Sequence, residues 1–304
     1  MKKIVLLICS IAFSFMIVSC SKTLEEKGDS KYISQIKDWH NKRIENLKKE
    51  DGWLNLVGLL ALKQGENKFG SGKNNDIVFP EGKAPDYLGT FTLKDSVVTI
   101  NIENGADVTC DDKTVTSMVL KNDMQGTPTV LSYGSLRWFI IYRSGDYYVR
   151  MRDVDAPLVK SFKGIDTYPV NSDWRLEAKL VPFNPPKKVS IANILGKVEE
   201  DISPGDLVFT KDGKEYSLQA LLEDDHYFII FADETSGDET YGAGRFVYAA
   251  KVDSTGKTII DFNKAFNPPC VFTKYATCPF PPKQNHLKMK VTAGELMFHG
   301  GAHE

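Results

Sequence analysis

The sequence predicts a mainly β protein: one or two antiparallel sandwich or barrel units preceded by one α-helix. Three observations carry this. Short apolar runs recur along the chain with turn residues between them at roughly eight- to twelve-residue spacing, the pattern of sandwiches and barrels. Only Lys31 to Glu50 repeats its apolar residues at helical spacing. Strands do not alternate with long helical segments, as a parallel sheet would need.

The first element is a targeting segment. Lys2 and Lys3 precede a nearly unbroken apolar run from Ile4 to Val18. That run is shorter than the ~20 residues of a comfortable membrane span. It ends in Ile17-Val18-Ser19-Cys20, which resembles the lipobox of bacterial lipoproteins. The resemblance implies a signal peptide over 1–19, cleavage before Cys20, and acylation (palmitate) of Cys20. More than one acyl chain makes a stable anchor. Ser21 follows the cysteine where an aspartate signals inner-membrane retention in Gram-negative lipoproteins, so the expected address is the outer membrane. The mature chain would then face the periplasm or the cell surface.

Residues 20–30 read as a tether. In the helix that follows, Ile33, Ile36, Trp39, Arg43/Ile44 and Leu47 fall three or four apart, Ser30 can cap the start, and Gly52 stands where the end wants glycine. Val97 to Ile102 alternates and ends at Asn104-Gly105, a hairpin signal. Leu136 to Tyr142 and Tyr147 to Met151 flank Ser144-Gly145-Asp146. Asp206 to Thr210 and Glu215 to Leu221 flank Lys211-Asp212-Gly213-Lys214. Trp174 to Val181, Tyr227 to Ala232, Arg245 to Val252 and Lys257 to Phe262 complete the strands. A polar stretch with two prolines, Ala156 to Ser172, divides a unit over 31–160, helix plus sandwich, from one over 161–304.

Composition excludes some functions. Loss of Lys2 and Lys3 leaves 36 basic against 40 acidic side chains, and no basic patch points to nucleic acid. The expected contacts are the membrane, through lipid, and a small ligand or envelope partner. No motif calls for a cofactor. Cys270 and Cys278 lie eight apart in a proline-rich loop, without the close C-x-x-C pair of a zinc site. A disulfide and two buried thiols remain alternatives, and no metal site is expected.

Several clusters have both a chemical and a structural reading. Gly70 with Asn75-Asp76-Ile77 resembles the opening of a forkhead-associated domain, a β-sandwich that binds phosphothreonine. That family places an arginine beside the glycine; here it is Ser71, and the later segment is Pro85-Asp86-Tyr87-Leu88-Gly89. The resemblance implies a sandwich without the phosphate ligands. Arg150 and Arg152 share one strand face, as an anion clamp or as a solvated edge paired with Asp153. Asp233-Glu234-Thr235-Ser236-Gly237-Asp238-Glu239-Thr240 offers oxygens to a cation, but its spacing is not that of an EF-hand loop. Tyr241-Gly242-Ala243-Gly244-Arg245 runs into a strand, whereas a phosphate cradle runs into a helix.

The densest group is the run Asp261 to Cys270, then Thr277 to Pro282, then Asn285. Prolines stiffen such loops and asparagines satisfy backbone groups. With DETSG, TYGAGRF, DFNKAFNPPC, ATCPFPP, the final AGE, and DGWLNLVGL and NNDIVFP nearer the front, residues 38–297 resemble the bacterial family catalogued as domain of unknown function 1684. The resemblance implies kinship with secreted or lipid-anchored proteins and transfers no catalytic role.

Two functions follow from the residues. A binding protein would use Tyr241, Arg245, Asn263 and Asn267. A hydrolase would draw on Asp233, Arg245, Asp261, His286 and Glu295, since paired carboxylates or a His–acid pair support hydrolysis. Neither a G-x-S-x-G elbow nor an H-E-x-x-H helix occurs. The binding reading is preferred. Arg245, Asp233, Asp261 and Asn267 are expected to meet near the Cys270–Cys278 loop, while His40 and His226 are expected on the surface.

Overall fold

The computed structural model describes residues 24–300; the signal segment and Cys20 lie outside the described residues. The protein is mainly β and antiparallel, with three sheets among the described residues. Two of them form an N-terminal sandwich. One orders its strands Leu56–Ala61, Asp146–Asp153, Leu136–Arg143, Leu131–Tyr133, Thr109–Cys110 and Lys113–Thr114. The other runs Ile77–Val78, Gly65–Gly70, Gly89–Lys94, Val97–Ile102 and Ser117–Leu120. Phe69, Phe91 and Ile100 from the second meet Trp138, Ile140, Val149 and Met151 from the first in one buried core.

The third sheet orders Arg245–Ala250, His226–Phe231, Lys214–Glu223, Val198–Lys211, Arg175–Ala192 and Lys257–Asp261. Its two end strands approach each other, so the sheet is a nearly closed barrel. Leu207, Phe209, Ile229, Phe231, Val247 and Ile260 fill it, and Leu287, Val291 and Ala293 from the C-terminal segment plug it.

Turn chemistry explains two hairpins. Arg143 pairs with Asp146 across Ser144-Gly145, and Lys211 pairs with Lys214 across Asp212-Gly213. All four central residues have positive φ, as type I′ turns require. Asn104-Gly105 behaves differently. The strand before it pairs with Ser117–Leu120, and the chain between crosses to the other sheet as the small hairpin Thr109–Cys110/Lys113–Thr114. The turn is real but hands the chain from one layer to the next.

Helix α1 spans Ser30–Lys48, and Asp29, not Ser30, caps it by accepting from the Tyr32 N–H. Gly52 serves close approach: a Cβ there would lie 2.3 Å from the Leu47 carbonyl oxygen. The helix docks on the C-terminal unit. Leu47 packs with Phe162, Val271 and Phe272, and Trp39 meets Phe266. No helix among the described residues is long and apolar enough to cross a membrane.

Candidate functional site

The polar residues of the C-terminal unit form two groups joined by one short segment. The first centres on Arg245. Gly244, at φ +86°, lies where a Cβ would come within 2.4 Å of the Phe231 carbonyl oxygen. Only glycine fits that approach, and it turns the next side chain into the barrel end. The Arg245 guanidinium is fully buried. It donates to Asp233 Oδ2 at 2.9 Å and to the carbonyls of Val291, Ala293 and Glu295 at 2.9, 2.6 and 3.2 Å. Asp233 Oδ1 in turn accepts from the Val291 and Thr235 N–H groups and the Thr235 hydroxyl. This pair is a staple that fixes residues 291–295 to the barrel. Arg245 therefore lines no pocket, and its expected place among ligand-contacting residues is corrected: four acceptors already surround it.

The loop after Asp233 bonds within itself: the Thr235 and Thr240 hydroxyls lie 2.8 Å apart, and the Asp233 N–H donates to the Ser236 hydroxyl. Among the described residues no three His, Cys, Asp or Glu side chains gather around a common point for a metal ion.

The second group lies between α1 and the barrel end. Segment 291–295 presents Glu295, whose carboxylate accepts from Arg43 Nε at 2.5 Å and from the Asn267 N–H at 2.6 Å. Arg43 also donates to the Asn267 carbonyl at 2.9 Å and lies over the Phe266 ring. The Asn267 amide donates to the Leu296 carbonyl. One helical turn back, His40 Nε2 lies 2.9 Å from the Asn263 carbonyl oxygen and therefore carries the proton. At the helix start the Tyr32 hydroxyl donates to Asp261 and accepts from the Asn263 amide at 3.0 Å. Burial, reinforced by the Asp261 charge, pushes the Tyr32 phenol above its usual range.

Asp261 and Asn267 thus meet α1 at different points, Tyr32 and Arg43, and the Arg245–Asp233 pair connects to Asn267 through segment 291–295 and through the bridge between Phe246 and Phe266. His286 is not part of either group: its side chain is exposed, and only its backbone bridges to Ala232. Tyr241 is half-buried and packs, as Trp53 and Phe266 do, against the cluster of Ile191, Phe246, Cys270 and Cys278. Cys270 and Cys278 are joined as a disulfide with Cα atoms 6.1 Å apart. Three residues of the site, Tyr32, His40 and Arg43, escaped the sequence reading. The signal was present: they fall on the helical stripe of Ile36 and Leu47, where polar residues need partners once buried.

His40, expected on the surface, is half-buried. Burial lowers its pKa from 6.5, against opposing pulls from Glu295 and the Asn263 carbonyl. The unfolded chain then binds the proton more readily than the folded one. Stability should be full above pH 6.5 and fall as the pH drops below it toward the folded value. Urea unfolding from pH 7.5 to 5 should show this decline in the wild type and a flatter one in His40→Asn. Equal slopes would show that His40 does not contribute.

Two open pockets flank the helix. At its start a 440 Å3 pocket is lined by residues including Lys31, Tyr32, Ser172 and Arg175. At its end a 380 Å3 pocket is lined by Arg43, Asn46, Lys49, Asp51 and Trp53 among others. Each touches the buried group through one residue, Tyr32 or Arg43. The three carboxylates that a hydrolase would draw on, Asp233, Asp261 and Glu295, are all buried and committed to internal partners.

Residues 160–296 match the model of a family described as a protein of unknown function, DUF1684. DGWLNLVGL and NNDIVFP lie before the matched segment. No curated protein matches the chain. An uncharacterized protein of Haloarcula marismortui, known from a solution NMR structure, is 26% identical over 46% of this chain and 80% of its own, with a TM-score of 0.39. The FhaA FHA domain, complexed with the intracellular domain of Rv3910, is 14% identical over 32% of this chain and 96% of its own, with a TM-score of 0.23. At these scores neither likeness bears on the fold or the site. The matched segment contains the barrel, the Arg245 staple and the Asn267–Cys278 loop, and it is this C-terminal unit, residues 160–296, that belongs to the DUF1684 family.

Proposed function

We propose that this chain is an outer-membrane lipoprotein, anchored through Cys20, that binds a small ligand in the pocket between Arg43 and Trp53. One observation carries the binding reading. The Arg43 guanidinium is held on one edge by Glu295 and the Asn267 carbonyl while it borders an open 380 Å3 pocket. A planar donor fixed in this way loses little entropy when it bonds a ligand. Trp53 supplies an aromatic wall beside it, and Tyr241 packs against the same two buried clusters as Trp53. Asn267 and Glu295 act here by aiming Arg43, without touching the ligand.

The anchor reading rests on the order of Lys2/Lys3, apolar run and Cys20. Nine residues lie between Cys20 and Ser30, the start of α1, so the anchor would join the end of the helix away from the Arg43–Trp53 pocket.

A thermal-shift screen of the chain against small polar and anionic compounds tests the pocket, since a ligand of the native state raises Tm by mass action. A hit should lose most of its shift in Arg43→Lys, which keeps the charge but not the fork. Hits indifferent to Arg43→Lys would place binding elsewhere. In cells that express the full chain, Cys20→Ala should abolish acyl labelling; persistent labelling would remove the anchor.

A further inference from the structure

Arg150 lies in the middle strand of the three that carry Leu59, Arg150 and Phe139 side by side. Its face is opposite to the sandwich core, where Val149 and Met151 point. It is buried, with 5% of its surface exposed, between the sandwich and the Cys270–Cys278 loop. There it makes one long hydrogen bond, to Thr277 Oγ1 at 3.4 Å, and its guanidinium carbon lies 5.7 Å from the centre of the Trp53 ring. Its Nε has no partner among the described residues. Among the described residues no carboxylate pairs with it: Asp123, whose charge acts on it, is taken by Arg143 at 2.6 Å.

The surrounding charge has one dominant sign. Arg143 and Arg152 both repel Arg150. Arg152 bonds the Gly52 carbonyl and Asn55, so it sits directly behind the pocket's Gly52–Trp53 edge. Across the pocket stand Arg43, already neutralised by Glu295, and Lys49. Asp51 is the one acid on the lining, and it is exposed. Burial and the two arginines pull the Arg150 pKa down to about 10, so the group stays charged at neutral pH. A buried cation with no counter-charge is costly. Clustered cations behind a low-dielectric wall focus a positive potential on the adjoining cleft.

We propose that the ligand of the Arg43–Trp53 pocket is an anion, whose carboxylate or phosphate oxygens take Arg43 as donor and serve as the counter-charge to Arg150 across Trp53. This rests on the pocket being the binding site and names its ligand class. Arg150 acts as a positioning residue, through the field and through the Trp53 ring that it braces.

The test uses the full chain at constant ionic strength, with inorganic phosphate and acetate compared with chloride. Phosphate, acetate or both should raise Tm saturably above the chloride control, and the stronger of the two identifies the head group. Arg150→Met should weaken the half-saturating concentration at least tenfold while the response to chloride is unchanged. Thr277→Asp guards against misfolding of that variant: it sets a carboxylate beside Arg150, and should raise Tm without added anion and shrink the phosphate or acetate shift. An anion response equal in wild type, Arg150→Met and Thr277→Asp would overturn the proposal. So would a neutral compound that stabilises the chain through Arg43 while neither anion does, which would leave the pocket reading in place. If no compound of any charge shifts Tm through Arg43, the pocket and its anion fall together.

Discussion

Replacing Arg245 by alanine is expected to cost about 3–5 kcal/mol of folding stability, the range for breaking a buried ion pair by removing one partner. Both side chains are essentially inaccessible, at 0% and 1% exposure for Arg245 and Asp233. The variant would leave the Asp233 charge buried with only the Val291 and Thr235 donors. It would also strip donors from three carbonyls of residues 291–295. Because those residues plug the barrel, the loss should appear as a lower urea midpoint with faster hydrogen exchange at Val291 and Leu287. Asp233→Ala should cost a similar amount, and the double variant less than the sum, since each single change already breaks the shared staple. A loss below about 1 kcal/mol, the scale of an exposed pair, would contradict the buried geometry.

The legible parts of the fold were those set by local chemistry. The 31–50 helix followed from apolar spacing, and the Ser144-Gly145 and Asp212-Gly213 turns from residues that tolerate positive φ. Asn104-Gly105 shows the limit: the dipeptide specifies a reversal but not which strand receives the chain, and here it leads to another sheet. The helix marks a second limit. Its stripe shows that one face is buried but not against what, and it docks on residues more than 200 positions away in sequence.

The site divides the same way. The crowding of Asn, Pro, Asp and Arg after Asp233 located the C-terminal half of the polar network. It could not separate the closed staple from the half-open seam, because both use the same residue types. The difference lies in exposure. Arg245 reaches inward from a barrel strand beside a glycine that lets backbone close over it, whereas Arg43 reaches the seam from the rim of a helix. Arg150 and Arg152 alternate as a solvated strand edge would, and burial by the Cys270–Cys278 loop is a tertiary fact with no local signature.

Glu295→Ala should cost about 3 kcal/mol, at the low end of the range for a broken buried pair, and should loosen α1 without unfolding the barrel. The carboxylate is nearly inaccessible, at 2% side-chain exposure, while Arg43 retains 16%. The stranded cation can therefore recover part of its hydration, but the Asn267 N–H loses its acceptor inside the protein. The helix would keep its Leu47 and Trp39 contacts and its Tyr32 and His40 hydrogen bonds, so local release is expected to precede global unfolding. Glu295→Gln separates charge from geometry. Its carbonyl oxygen can still accept from Asn267 or Arg43, so it should recover about half of the loss, in keeping with charge-assisted bonds being about twice as strong as neutral ones. Hydrogen exchange over residues 30–48, set beside the urea midpoint, reads both effects. If the helix stays as protected in Glu295→Ala as in the wild type, then Arg43 is not positioned by Glu295. The pocket's donor edge would then have to be held by the Asn267 carbonyl and the Phe266 ring alone.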